Sequence, residues 1–193
     1  MARRIILASG SPRRRELLES GGFEFEVITS DADENIGRMD PNEVGKELSY
    51  RKAQAVADII DSSDNVLIIG ADTLVYVDDM RMGKPKDEAE EYDFLRKMSG
   101  RSHDVITGVT ILADEGGILT RHSFSAVTKV NVIDMTDEEM EWYVATGEWT
   151  DKAGGYAIQG KFGKFISGIE GEYANVVGFP LARFYEEYKK IEV

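Results

Sequence analysis

A run of four apolar residues, Ile5-Ile6-Leu7-Ala8, breaks at once into Ser9-Gly-Ser-Pro12 and then into Arg13-Arg-Arg-Glu-Leu-Leu18. An apolar strand that turns straight into a helix commits the chain to packing helices on a sheet. Ser11 can cap this helix, and Pro12 suits its first position. Small residues at the turn let a phosphate approach backbone N–H groups at the positive end of the helix dipole. Arg13, Arg14 and Arg15 repel that dipole and one another, a cost that holding an anion would explain. A capped surface helix with solvated arginines is the alternative. The chain has no Gly-x-x-x-x-Gly-Lys-Ser/Thr P-loop.

The alternation of strand and helix continues along the chain. Its pattern predicts a strand over 4–8, a helix over 12–20 and a half-buried strand over 23–28. Residues 30–40 read as a polar, acidic loop. Pro41 opens a long helix with Val44, Leu48, Val56, Ala57 and Ile60 on one side. Residues 65–69 form a branched apolar run, a central strand, and 74–84 read as a hairpin with Asp78-Asp79 at its tip. A helix follows over 87–98, then long strands over 104–112 and 123–133 joined around Gly116-Gly117. Thr136 with Glu139 resembles a capping box that opens a helix to about residue 146. Residues 147–172 are rich in glycine and carry few helix signals. Pro180 opens the last helix, with Leu181, Phe184, Tyr185 and Tyr188 as its core face. The class is α/β, in one domain over 1–193 with room for two lobes.

Charge narrows the partners. The 193 residues carry a formal net charge of −13. That argues against nonspecific binding to nucleic acid or to an anionic membrane. An anionic substrate then needs a local basic pocket, a metal, or both. The chain has no cysteine, which excludes disulfides, thiolate nucleophiles and cysteine-based metal sites and fits a reducing cytoplasm. Arg3 and Arg4 precede an apolar run too short for a signal peptide, and no run approaches the ~20 apolar residues of a membrane span.

Four further segments offer chemistry. Asp72, in Gly70-Ala-Asp-Thr73, follows the central strand, where open α/β sheets place ligands. It suits a divalent metal or a general base, or else a turn that bonds to itself. Lys84 lies between Gly83 and Pro85, whose restrained backbone suits a fixed phosphate contact or a solvated loop. The cluster Asp31-Ala-Asp-Glu34 suits Mg²⁺ or plain solvation. In Gly154-Gly-Tyr-Ala-Ile-Gln159, Gln159 offers a donor and an acceptor to a base edge. Tyr156, Phe162 and Phe165 read as core, and His103 and His122 as structural.

Together, in order, these segments resemble the Maf family of nucleoside triphosphate pyrophosphatases. The matching pieces are Ser9-Gly-Ser-Pro-Arg-Arg14, Lys52-Ala53, Gly70-Ala-Asp-Thr73, Gly83-Lys-Pro85, Ser99-Gly-Arg101 with His103, Thr107-Gly108, Asp151-Lys-Ala-Gly154, Tyr156-Ala-Ile-Gln-Gly160 and Val177-Gly-Phe-Pro-Leu181. The resemblance implies a central mixed sheet with flanking helices and two lobes around a cleft, similar to the inosine triphosphate pyrophosphatases. It implies metal-dependent cleavage, with Mg²⁺ or Mn²⁺, of a nucleoside triphosphate to a monophosphate and pyrophosphate. Asp72 matches the family's base. Ser9, Arg14, Glu34, Lys52 and Lys84 match its other active-site positions; Ser9, Arg14, Lys52 and Lys84 are expected to bind phosphate, and Glu34 with Asp72 to hold the metal. The branch acting on dTTP and UTP carries Arg, Thr and Gln at the positions of Arg13, Thr73 and Gln159, whereas the branch acting on 7-methyl-GTP carries Trp, Gln and Glu. Modified pyrimidine nucleotides are also expected substrates. Gly155 stands where alanine is common and Phe179 where leucine is usual, and neither touches the expected chemistry. The family's association with arrest of septum formation offers a different role, a nucleotide-binding regulator of division. The sequence leaves the oligomeric state open, a homodimer included.

Overall fold

The computed structural model describes residues 3–29, 31–37, 39–60, 65–114 and 117–191. In chain order its elements are β1 (Arg4–Leu7), α1 (Pro12–Ser20), β2 (Glu26–Val27), α2 (Pro41–Ala57), β3 (Val66–Val77), β4 (Met80–Met82), α3 (Glu88–Met98), β5 (Ser102–Asp114), β6 (Leu119–Val132), α4 (Asp137–Ala145), β7 (Ile166–Glu170), α5 (Tyr173–Val177) and α6 (Leu181–Ile191). The seven strands hydrogen-bond in the order β2-β1-β3-β5-β6-β7, with β4 on β3. β1 is parallel to both β2 and β3, while β4 and β7 run antiparallel to their partners. The sheet is mixed and the class is α/β, as expected. No described helix is long and apolar enough to cross a membrane.

The chain divides into two compact units. The first comprises Met1–Asp72, Thr107–Ala126 and Gly178–Val193; the second comprises Thr73–Ile106 and Val127–Val177. β3 therefore passes from one to the other between Asp72 and Thr73. The first unit has two apolar clusters, on opposite faces of its strands. Leu7, Leu67, Ile69 and Val109 pack with Leu18 of α1 and Phe184 of α6. Ile6, Ile68 and Val66 pack with Ala53 and Val56 of α2. The second unit is built around Phe162, Phe165, Tyr143 and Tyr156, all at most 7% exposed, so the three aromatics read as core between 156 and 165 are core.

α2 lies unusually close to the strands beneath it. A Cβ on Gly70 would stand 2.1 Å from the Ser49 carbonyl oxygen, and one on Gly108 would stand 2.0 Å from the Gly45 carbonyl carbon. Two glycines, one on β3 and one on β5, thus let a helix backbone rest on strand backbone. Asp40 caps α2 by accepting from Asn42 N–H at 2.9 Å. The capping box at Thr136 and Glu139 is present on α4.

Several expectations change. Ser11 stands at the N-cap of α1 but its side chain makes no cap; instead its N–H reaches Ser9 Oγ at 3.3 Å. The strand over 23–28 shrinks to Glu26–Val27, because Phe23 and Phe25 turn to the first unit's core rather than to the ladder. Residues 65–69 and the first arm of the hairpin are one strand of 12 residues. The stretch 147–172 holds β7 and two short 3-10 turns, Ala153–Gly155 and Lys161–Phe165. Tyr185 is 51% exposed and Ile60 lies beyond the end of α2. The junction expected around Gly116-Gly117 falls partly outside the described residues.

Candidate functional site

Six of the residues singled out by sequence stand in the first unit, five of them joined by direct contacts into two groups. Ser9, 8% exposed, follows β1. Its Oγ accepts from Arg14 Nη1 at 2.9 Å as well as from Ser11 N–H. Arg14 Nε also donates to the Gly178 carbonyl at 3.0 Å. The guanidinium is thereby folded back over the turn from α1. Burial pulls the Arg14 pKa below its ordinary value; Asp72 opposes that shift, Arg13 adds to it and Glu34 opposes it. Arg13 is half-buried and Arg15 exposed.

Strand alternation explains the second group. Val66, Ile68 and Asp72 fall on the β3 face that α2 covers, with Gly70 between them. Because α2 rests on Gly70, the residue one position before Ala53 is held at the height of Asp72. Lys52 Nζ donates to Asp72 Oδ1 at 2.5 Å and pairs with Glu34 Oε1 at 2.9 Å. Two carboxylates thus share one ammonium. Lys52 and Asp72 side chains are 20% and 12% exposed, whereas Glu34 is 62% exposed, so the first pair is the shielded one.

Sequence reasoning passed over Arg51. Its Nη1 donates to the carbonyls of Asp33 (3.1 Å) and Asn35 (2.8 Å), the residues on either side of Glu34. Nε is held by Glu47 at 2.9 Å. A helix arginine reads as solvated charge in a sequence; here it fixes the acidic loop by its backbone. The signal that could have found it is its place beside Lys52 on a helix facing an acidic segment.

A cavity of about 230 Å³ opens among Ser9, Gly10, Thr29, Asp31, Glu34 and Lys52. Its wall combines a strand-to-helix turn, an ammonium and exposed carboxylates, which suits an anion accompanied by a cation. Among the described residues no three acidic or histidine side chains form a metal cluster. Asp72 and Glu34 nevertheless supply hard oxygen donors at one point that already attracts a cation. That donor set fits Mg²⁺, which is bound through one or two carboxylates together with phosphate oxygens.

The other three expected residues belong to the second unit. Thr73 lies one position past Asp72 on β3, so alternation turns it to the opposite face. Lys84 is exposed beside Gly83, whose carbonyl accepts from Gly154 N–H at 2.9 Å. Gln159 is exposed in a turn closed by Gly160 N–H on the Ala157 carbonyl at 3.0 Å. His103 is buried against Tyr156 (Nε2 to Oη 2.6 Å), and burial pushes its pKa down to about 4. His122 is exposed near Thr120.

A family model described as Maf-like protein matches residues 4–191. A protein of Agathobacter rectalis named dTTP/UTP pyrophosphatase is 43% identical over 201 residues, covering 98% of each chain. Proteins of the same name from Bacillus mycoides and Bacillus cereus are 44% and 43% identical, over 98% and 99% of this chain and 96% and 97% of theirs. The structure of a HAM1 protein from Coxiella burnetii aligns over 68% of this chain with a TM-score of 0.43 and 15% identity, too loosely to carry an argument.

Proposed function

This chain belongs to the Maf family, and from that premise we propose that it cleaves nucleoside triphosphates, dTTP and UTP foremost, to the monophosphate and pyrophosphate. The observation that carries the reading is the Lys52–Asp72 pair beside the Ser9–Arg14 turn. It puts a carboxylate able to accept a proton in the same unit as groups that attract phosphate.

In this reading Asp72 takes a proton from a water that attacks the α-phosphorus. The bond to the bridging oxygen breaks, and pyrophosphate leaves with the electron pair. Ser9, Arg14, Lys52 and Lys84 hold the phosphates, and the cations neutralise charge as it builds on the leaving group. Without such groups a chain of net charge −13 would repel a triphosphate. Asp72 and Glu34 are the residues that would hold Mg²⁺ or Mn²⁺, which when bound supplies Lewis acidity at the phosphates. Arg13, Thr73 and Gln159 select the base, since polar groups built to bond a pyrimidine are left unpaired by a wrong one. Modified pyrimidine triphosphates fit the same selection, and the cytoplasm, where such nucleotides are made, is the expected compartment.

Pyrophosphate release across a panel of normal, methylated and deaminated triphosphates with Mg²⁺ tests this directly. Turnover led by UTP and dTTP is the expected result. Tight nucleotide binding without release would replace the enzyme reading with that of a nucleotide-binding regulator of division.

A further inference from the structure

Glu91, on α3, is 0% exposed, and neither of its carboxylate oxygens has a hydrogen-bond partner among the described residues. Burying such a group unpaired is costly, so its presence calls for a compensating role. Burial keeps the proton on, with the pKa pushed up to about 9. What the carboxyl touches is a glycine. A Cβ on Gly155 would lie 1.8 Å from Glu91 Oε2 and 2.6 Å from its Cδ. The carboxyl therefore fills the space where any side chain at position 155 would begin.

The same turn is fixed on its other sides. Gly155 accepts from the buried Tyr143 hydroxyl at 3.0 Å. A Cβ on Gly154 would stand 2.9 Å from Val75 Cγ1, so that glycine lies flat on β3, and its N–H binds the Gly83 carbonyl. Tyr156 is held by His103. Downstream, Lys161 N–H binds the Glu148 carboxylate at 2.8 and 3.0 Å. Gln159 is presented between these anchors, and Lys84 stands next to the glycine that Gly154 holds.

We propose that Glu91 is a positioning residue for nucleotide recognition: seated on Gly155, its side chain sets the height of the turn that presents Gln159 and that the Lys84 loop is tied to. It touches no substrate and acts only through Gly155. The inference rests on the reading of Gln159 and Lys84 as nucleotide contacts.

A double-mutant cycle tests it in the full-length protein, with kcat and KM for UTP and GTP and the UTP Kd from calorimetry. Gly155→Ala is expected to raise UTP KM and Kd about tenfold, with kcat within about threefold, and to narrow the preference for UTP over GTP, as displaced contacts do. Glu91→Ala alone, which removes the seat under the turn, should also raise UTP Kd; in the double variant the clash is gone, so it should recover much of the Gly155→Ala loss and fall well short of the two losses summed. Alanine at φ 73 keeps its own strain in both variants that carry it, so the recovery does not come from that strain. Glu91→Gln, of the same shape, should keep wild-type values and guards against reading a folding defect as an effect. Wild-type Kd and selectivity in Gly155→Ala, or additive losses in the double variant, would overturn the proposal. Coupled UTP affinities in a protein that releases no pyrophosphate would uphold it while sinking the hydrolytic reading. Normal hydrolysis with uncoupled affinities would do the reverse.

Discussion

Lys52 Nζ meets Asp72 Oδ1 at 2.5 Å, which makes the cation of α2 and the acid of β3 a single chemical unit. Asp72→Asn should retain the fold and lose roughly 10²–10⁴-fold in kcat, the usual range for a general base. Lys52→Met should lose activity and also about 2 kcal/mol of stability, because it leaves a shielded carboxylate unpaired. That is below the ~3–5 kcal/mol of a fully buried pair, since both side chains keep some solvent. Urea unfolding with pyrophosphate release separates the two effects; an active Asp72→Asn would remove Asp72 as base.

Gly70 decides whether that unit forms at all. Gly70→Ala should cost at least about 1–3 kcal/mol, since its Cβ would stand 2.1 Å from a backbone carbonyl that cannot rotate away. The helix must rise, and Lys52 with it. The variant is expected to lose turnover even at temperatures where circular dichroism reports it folded. Unimpaired kcat in the folded variant would show that α2 does not need its close seat.

Arg51 should act through metal rather than through the fold. Arg51→Ala frees the backbone on both sides of Glu34. A roughly 10–100-fold weaker apparent Mn²⁺ affinity is expected, as for other partners of metal-holding groups, with stability changed by under about 1 kcal/mol. Mn²⁺ titration followed by electron paramagnetic resonance reads this without turnover, and an unchanged affinity would dismiss the role.

Two buried groups in the second unit should make stability depend on pH in opposite senses, offsetting each other between about pH 4.5 and 6.5 and leaving a net loss from there up to about 9. Glu91 ionises near 4.5 in an unfolded chain and near 9 when folded. The folded state holds the extra proton across that window, so stability drops as pH rises from about 4.5 to about 9. Tyr143, the hydroxyl packed on the same turn, is pushed upward by burial and stays neutral throughout. His103 works in the opposite sense: unfolded it takes a proton near 6.5, folded only near 4, so stability drops as pH falls through that interval. Each slope is at most ~1.4 kcal/mol per pH unit. Glu91→Gln should flatten the alkaline limb and uncover the acid-side loss from His103 in melting curves from pH 4 to 9; an unaltered alkaline limb would show that Glu91 is not held neutral.

What could be read from sequence was whatever is decided by near neighbours. The first strand, turn and helix, the capping box at Thr136 and the hairpin tip at Asp78-Asp79 all depend on residues a few positions apart. What could not be read was decided by packing. Gly70 and Asp72 look like the end of a strand because glycine and aspartate are poor strand formers, yet β3 runs through them, since a helix needs the missing side chain at Gly70. Phe23 and Phe25 alternate like a strand but spend that pattern on the first unit's core. Of the site, Ser9, Arg14 and Asp72 were legible as residue types beside a turn and an apolar strand, whereas Lys52, inside a helix, was reached only through the resemblance. Arg51 and Glu91 were not legible, because a guanidinium on two carbonyls and a carboxyl on a glycine leave no local mark.

β3 changes cores at the peptide bond between Asp72 and Thr73. The residue assigned to chemistry and one assigned to base choice are therefore adjacent in the gene but answer to different interiors. On the proposed roles, a change at the Glu91–Gly155 contact would act on recognition while leaving Lys52, Asp72 and Glu34 in place. Such a division would let the choice of nucleotide change while the reaction stays the same.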